Sequence, residues 1–97
     1  MPVLYVVLSQ RQEMDARLGE AVQTSFPGNS FPLAERGQWL VVGEGTAREV
    51  SDKIKITGVE PPLIGSSIVF AVSGYFGRAS SETWEWIAAK LGGHIVT

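Results

Sequence analysis

The stretch from residue 66 to residue 93, "SSIVFAVSGYFGRASSETWEWIAAKLGG", predicts a strand, an aromatic turn and a helix in immediate succession. The run "SSIVFAVS" indicates a strand because it is rich in β-branched and aromatic residues and has no helical spacing. In the helix, Ser80 or Ser81 is the expected N-cap, and Gly92–Gly93 is the expected stop. The apolar stripe of this helix consists of Trp84, Ile87, Ala88 and Leu91.

The second tryptophan of this helix, Trp86, does not belong to that stripe. At about 100° per residue it lies nearly opposite the stripe, on the same side as Lys90, so we expect it to point away from the sheet. One interpretation is that the tail "HIVT" or a neighbouring loop covers it. The other is that Trp86 and Lys90 belong to an interface, because tryptophan is enriched where protein partners dock.

The upstream part of the chain predicts three more strands. "VLYVVLS" at residues 3–9 is the first of them, since it is a short β-branched run. In "SFPLAERGQWLVVG", two short strands are expected around a turn at Glu35–Gly37. Pro32 indicates that the first of these two strands is an edge or irregular strand, because proline has no N–H to donate to a ladder.

Two further helices connect these strands, and each begins with the pattern of a capping box. The first box pairs Ser9 with Gln12, and its helix ends at Phe26 because Pro27 disfavours helical geometry before it. The second box pairs Thr46 with Glu49. The expected buried stripes are Met14, Leu18, Ala21 and Val22 in the first helix, and Ala47, Val50 and Ile54 in the second.

The resulting order, β-α-β-β-α-β-α, predicts the fold class. Its first six elements are those of the ferredoxin-like split βαβ arrangement, with two helices on one face of a four-stranded antiparallel sheet. We therefore expect a single α+β domain over residues 1–97, a ferredoxin-like βαββαβ sandwich with an extra carboxy-terminal helix.

Three of the strands are apolar on both sides, whereas a sheet with one wet face would alternate apolar and polar residues. In the first strand, one side carries Val3, Tyr5 and Val7, and the other carries Leu4, Val6 and Leu8. Leaving half a dozen such side chains in water would create a patch prone to aggregation. Two helices cannot cover both faces, so the third helix, a second copy of the chain, or both must cover the second face. We therefore expect a homodimer or a higher homo-oligomer.

Composition and charge exclude several classes of protein. The net charge of -2 gives no global basic field for nucleic acid, and the absence of cysteine removes disulfides and thiolate chemistry. His94 is the single histidine, so neither a histidine–cysteine metal site nor a well-placed Ser-His-Asp triad is expected. The apolar run Val3–Leu8 is too short for a signal peptide core or a membrane span. We expect a cytoplasmic protein with no membrane contact, no cofactor, no metal and no catalytic residue.

Two glycine-containing turns are candidate binding sites. In "GEGTARE", a strand meets a helix amino terminus, where backbone N–H groups could bind a phosphate. The residues concerned are Gly43, Gly45, Thr46 and Arg48, with the arginine as the natural clamp. The favoured alternative is a tight turn before a capped helix, because neither a third glycine nor a P-loop lysine is present.

The second candidate is "GYFGR" at residues 74–78. Tyr75 and Phe76 could stack on bases while Arg78 contacts a phosphate, as on single-strand binding surfaces. The favoured alternative is that both aromatic rings pack under the adjoining helix.

In its order of elements, the sequence resembles the small ferredoxin-like proteins of the SinR-like group, which is related to the CRISPR adaptation ribonucleases and to virulence-associated protein D. The segments that carry the resemblance are "VLYVVLS", "QWLVV" with Trp39, "TAREVSDKI" and "SIVFAVS". It implies a homodimer whose sheets pack together, with ties to nucleic acid or toxin–antitoxin systems. The nuclease members hold a metal with an aspartate at the end of the first strand, where this sequence has Ser9 and Gln10. Because a hydroxyl is a poor ligand for a hard cation, the metal-dependent activity is not carried over.

The sequence therefore predicts a small, non-catalytic, homo-oligomeric binding or regulatory protein. One alternative is a small endoribonuclease with an atypical site around Ser9, Arg48 and Arg78. Another is a protein–protein adaptor that uses Trp86 and the "GYFGR" turn.

Overall fold

The computed structural model describes residues 2–33 and 36–91, and within them the chain forms a four-stranded sheet with three α-helices. A single turn of 3-10 helix, Gln12–Met14, precedes the first α-helix. The strands are β1 Val3–Ser9, β2 Ser30–Pro32, β3 Gln38–Gly43 and β4 Ser67–Val72. The helices are α1 Asp15–Ser25, α2 Ala47–Ile54 and α3 Ser81–Leu91.

The sheet is open and antiparallel, with the strand order β2-β3-β1-β4. β1 and β3 are central, and β2 and β4 form the two edges. In the centre of the sheet Tyr5 pairs with Val41 on one side and with Ala71 on the other. The predicted α+β class is thus confirmed, and so is the edge position of the short strand that contains Pro32.

Helices α1 and α2 cover the first face of the sheet. Tyr5, Val7 and Val41 are fully buried there. The two helices supply the rest of this core with Leu18 and Val22, and with Val50 and Ile54. These helical residues belong to the stripes that the 3.6-residue periodicity predicts, because the apolar face of each helix must be removed from water.

Helix α3 covers the central strands on the second face. Ile87 packs there on Leu4, Leu40 and Val42, and all four side chains are buried. The sequence left the third helix, a second copy of the chain, or both as candidates for covering this face. The structure shows that the third helix covers β1 and β3. It leaves β4 largely uncovered, since the side chains of Ile68 and Phe70 on the same face are 39% and 49% exposed.

One of the predicted caps is wrong and two are confirmed. Ser9 does not cap α1, because the 3-10 turn intervenes and the α1 N-cap is Met14, whose side chain makes no capping bond. Thr46 and Glu49 form the capping box of α2. Of the two serines considered for α3, Ser80 accepts a hydrogen bond at its Oγ from the Thr83 N–H, at 3.4 Å.

Several predictions fall on parts of the chain outside the described residues. These are Glu35 in the turn between β2 and β3, the Gly92–Gly93 stop, the position of His94, and the covering of Trp86 by residues 94–97.

Candidate functional site

The turn between β3 and α2 is built around reciprocal hydrogen bonds. The Thr46 N–H donates to Glu49 Oε1 at 2.9 Å, and the Glu49 N–H donates to Thr46 Oγ1 at 3.1 Å. Gly45 has a φ of +101°, and a Cβ at this position would lie 2.8 Å from Glu49 Oε1. The glycine is therefore required both by backbone conformation and by the close approach of the carboxylate.

The surroundings of this turn do not favour an anion. Tyr5 lies beneath it, and its hydroxyl donates to the Gly45 carbonyl. Burial, together with the carboxylates of Glu49 and Glu44, raises the pKa of Tyr5 above 10.0. A phosphate would have to displace one carboxylate from the N–H of Thr46 and approach another. Phosphate binding at this turn stays a prediction, and the geometry favours its alternative, a capped helix.

Arg48, the residue expected to clamp that anion, lines a different cavity. This cavity, of about 490 Å³, lies between α2 and the β4 edge and also contains Asp52 and Ser67. The lining residues of this cavity do not include the other three residues of the candidate site, Gly43, Gly45 and Thr46. Arg48 therefore belongs to the surface beside β4.

The two aromatic residues of the "GYFGR" turn lie in different environments. The Tyr75 ring stacks on the Trp84 ring of α3, with 6.2 Å between centroids and 22° between planes. Phe76, by contrast, is 85% exposed. The alternative in which both rings pack under the helix is thus confirmed for Tyr75 and wrong for Phe76.

Phe76 stands at the rim of an apolar groove on the second face of the sheet. The groove has a volume of about 200 Å³ and lies between the sheet, α3 and the turn. Its rim also carries Leu33, which is 39% exposed, and Arg78. The remaining walls include the sheet residues Leu4, Val6, Leu40 and Val72 and the α3 residues Thr83, Trp84 and Ile87. We call this surface the Phe76 groove.

The expectation that Trp86 points away from the sheet is wrong. Trp86 is half-buried, and its ring centroid lies 5.4 Å from that of Phe31 in β2. Lys90, one turn later on α3, is also half-buried. Trp86 therefore holds α3 against the edge strand β2, and a role of these two residues in an interface stays a prediction.

A polar pair at the end of β1 was missed by the sequence reasoning. The Ser9 Oγ donates to the Asp15 carboxylate, and both line a polar cavity of about 290 Å³ with Gly37 and Arg36. No periodic spacing predicts this contact, because an irregular segment and a 3-10 turn separate the two residues. A carboxylate thus lies beside the end of β1, although the sequence there reads Ser-Gln.

The three residues proposed for an atypical ribonuclease site do not share a cavity. Ser9, Arg48 and Arg78 line three different cavities. Within residues 2–33 and 36–91, no three histidine, cysteine or acidic residues lie close enough together to hold a metal ion. In the same part of the chain, no helix is long and apolar enough to cross a membrane.

No protein-family model, no curated protein and no solved structure matches this chain.

Proposed function

We propose that this chain is a non-catalytic, homo-oligomeric binding protein whose Phe76 groove receives an apolar side chain of a protein partner. The observation that carries the proposal is the 85% exposure of Phe76 at the rim of an apolar groove. Burying a phenylalanine side chain is worth about 1.5–3 kcal/mol, so a partner that covers this ring gains binding energy from it.

The size of the Phe76 groove supports a side chain as its occupant. Its volume of about 200 Å³ is below the roughly 300–1,000 Å³ of pockets for small molecules and cofactors. The walls are mainly aliphatic and aromatic, and Arg78 supplies one charge at the rim. An apolar anchor in a groove, with a charged group at its edge, is the usual arrangement where a few residues dominate the affinity of a protein partner.

Single-stranded nucleic acid is the second candidate ligand for the same turn. Phe76 presents a free ring face next to Arg78, and such pairs stack on bases and neutralise phosphates. The acidic balance of the chain, with a net charge of -2, argues against it.

We also propose that the domain is ferredoxin-like. The strand order, the antiparallel pairing and the placement of α1 and α2 on one face support this assignment. They are likewise the features that support the resemblance to the SinR-like group, which stays a prediction. The uncovered side chains of β4 support the homo-oligomeric state.

The proposal is tested by selecting binders from a random peptide library against the immobilised protein. Selected peptides should share an apolar residue, and their affinity should fall about tenfold or more for Phe76→Ala, as for an interface anchor. Leu63→Ala is the matched control, because Leu63 is 58% exposed but does not line the groove. Peptides that bind both variants equally well would contradict the proposal.

The other candidates are tested with a labelled 12-residue oligouridylate. Nucleic acid would be favoured as the ligand if the oligonucleotide bound, if Phe76→Ala and Arg78→Ala weakened that binding, and if the library selection yielded no peptide. Cleavage that is lost in Arg78→Ala would favour the endoribonuclease alternative and overturn the non-catalytic assignment.

A further inference from the structure

We infer that β4 pairs in antiparallel fashion with β4 of a second copy, in a register centred on Val69, and so joins two four-stranded sheets into one of eight strands. The inference deepens the proposed function and rests on its homo-oligomeric part. β4 is an edge strand, and within the described residues no strand lies on its outer side. A row of unpaired backbone donors and acceptors on such an edge is a template for another strand.

The hydrogen bonds at the end of β1 show which backbone groups of β4 face outward. The Ser9 N–H donates to the Gly37 carbonyl on the β3 side, and the Gln10 N–H donates to the Ser66 carbonyl on the β4 side. The backbone N–H and C=O groups of successive residues point to opposite sides of a strand, so the even-numbered residues of β1 bond to β4. Their β4 partners are Ile68, Phe70 and Val72. The outward backbone groups are therefore those of Ser67, Val69 and Ala71.

The sequence of β4 carries none of the features that protect edge strands. "SIVFAV" has no charged residue, no proline and no glycine, and its six residues all belong to one continuous ladder with β1. The opposite edge, β2, is protected, since it has three residues and contains Pro32. A six-residue edge strand with no charge, proline or glycine is expected to pair, and this difference selects β4 over β2.

Self-pairing about Val69 is complementary in its side chains. In that register Ile68 of one copy stands directly opposite Phe70 of the other, and the same contact occurs twice because the pairing is two-fold. These are the two large apolar residues of β4 that are exposed, at 39% and 49%. They form non-hydrogen-bonded pairs, in which the side chains approach most closely. An aliphatic residue opposite an aromatic one is a favourable cross-strand pair.

Charge on the neighbouring helix fits the same symmetry. Arg48 and Asp52 of α2 both line the cavity along the β4 edge. A two-fold axis reverses the direction of α2 in the second copy, so an arginine of one copy faces the aspartate end of the other. Like charges are thereby kept apart, as an isologous interface requires.

The absence of cysteine from the chain permits a test of this register by single-cysteine cross-linking. An equimolar mixture of Ile68→Cys and Phe70→Cys chains should form a disulfide-linked heterodimer, because the paired Cα atoms would be about 4.5 Å apart. Each variant alone should cross-link little, because the two identical positions would be about 8 Å apart, beyond the reach of a disulfide. Both side chains are exposed, so neither substitution empties the core.

A charge pair gives a second readout that does not depend on oxidation. Ile68→Glu combined with Phe70→Lys is self-complementary in this register and should retain the dimer in light scattering. Ile68→Lys combined with Phe70→Lys places like charges opposite each other twice and should weaken self-association about tenfold or more. Circular dichroism of both variants controls for folding.

The outcomes separate this inference from the proposed function. The β4 pairing is overturned if the wild type is a dimer but the two cysteine variants form no mixed cross-link and the two charge variants self-associate equally. That result leaves the homo-oligomeric proposal intact. A wild-type monomer at every concentration overturns both. A monomer that instead captures an extended peptide along β4 overturns the assignment of a second copy as the occupant.

Discussion

The ring of Trp86 lies against that of Phe31, with centroids 5.4 Å apart and an angle of 30° between the planes. This contact joins the carboxy-terminal helix to the shortest strand of the sheet. It explains why α3 carries two tryptophans that cannot share a helical face: Trp84 packs on Tyr75, and Trp86 packs on the opposite flank. The helix is thus held on both sides of Ile87, which is buried at its centre.

We expect Trp86→Ala to destabilise the fold through the loss of this aromatic pair. A double-mutant cycle with Phe31→Ala should give a coupling of about 0.5–1.5 kcal/mol, measured by urea unfolding. The matched control is a cycle between Trp86→Ala and Phe76→Ala, which should show no coupling because Phe76 is exposed and lines the groove beside Trp84, whereas Trp86 packs on Phe31. A variant that lost self-association at unchanged unfolding stability would instead assign Trp86 to an interface.

The hydroxyl of Tyr5 should make stability depend on pH at the alkaline end. Its pKa is raised above 10.0 by burial and by Glu49 and Glu44, so the neutral form is favoured in the folded state. Stability from this group is complete below the unfolded pKa of 10.0 and is lost as the pH rises through the folded pKa. Urea unfolding between pH 8 and pH 11 should show this decline in the wild type.

Tyr5→Phe is the control for that titration. It removes the hydrogen bond to the Gly45 carbonyl, which should cost about 1 kcal/mol at neutral pH. It should also flatten the alkaline decline, and an unchanged decline would assign the effect to other groups.

The contribution of the α2 capping box to the free energy of unfolding should be measurable by substituting each of its two residues. Thr46→Ala removes the acceptor of the Glu49 N–H and should cost about 1 kcal/mol in urea unfolding. Glu49→Gln should cost less, because glutamine also serves at this position of a capping box. Equal costs for the two substitutions would indicate that the negative charge of Glu49 stabilises the turn about as much as the Thr46 hydrogen bond does.

Gly37 should be the least replaceable glycine that the structure describes. A Cβ there would lie 2.5 Å from Ser9 Oγ and 2.5 Å from Asp15 Oδ1, at a φ of +63°. Gly28 is the matched control, since its φ is +76° but, apart from its two chain neighbours, no described residue comes within 4 Å of its Cβ position. Gly28→Ala should cost about 1–2 kcal/mol from backbone conformation alone. Gly37→Ala should cost about 1–3 kcal/mol more from the steric conflict, measured as a difference in thermal or urea unfolding. Equal costs would show that Ser9 and Asp15 move aside freely.

The contrast between the two predicted capping boxes shows which local patterns can be trusted. Thr46 and Glu49 satisfy each other within four residues and need nothing from the rest of the fold. Ser9 had the same spacing to Gln12, but the end of β1 turns so that its hydroxyl meets Asp15 instead. A local hydrogen bond is predictable where its only competitor is water, and it is not where a side chain farther along the chain competes for the same group.

The helical periodicity of α3 was predicted, but the rotation of the helix about its axis was not. Centring the stripe on Trp84, Ile87 and Leu91 places Trp86 opposite the sheet. The helix is rotated so that Thr83 and Ile87 are buried, which brings Trp86 to the flank, about 100° from Ile87. A ring as large as that of Trp86 still reaches the sheet from the flank of the helix, where it packs on Phe31.

By itself, the sequence determined the succession of strands and helices, the buried stripes of α1 and α2, and the need to cover a sheet that is apolar on both sides. These features follow from periodicity and composition, which can be read from short segments of the sequence without knowledge of the rest of the fold. Only the tertiary structure decided that α3 covers β1 and β3 but not β4, that Phe76 stays exposed while Tyr75 does not, and that Arg48 lies beside β4. Those outcomes depend on which side chains compete for the same surface, and that competition arises only once distant segments of the chain are packed together.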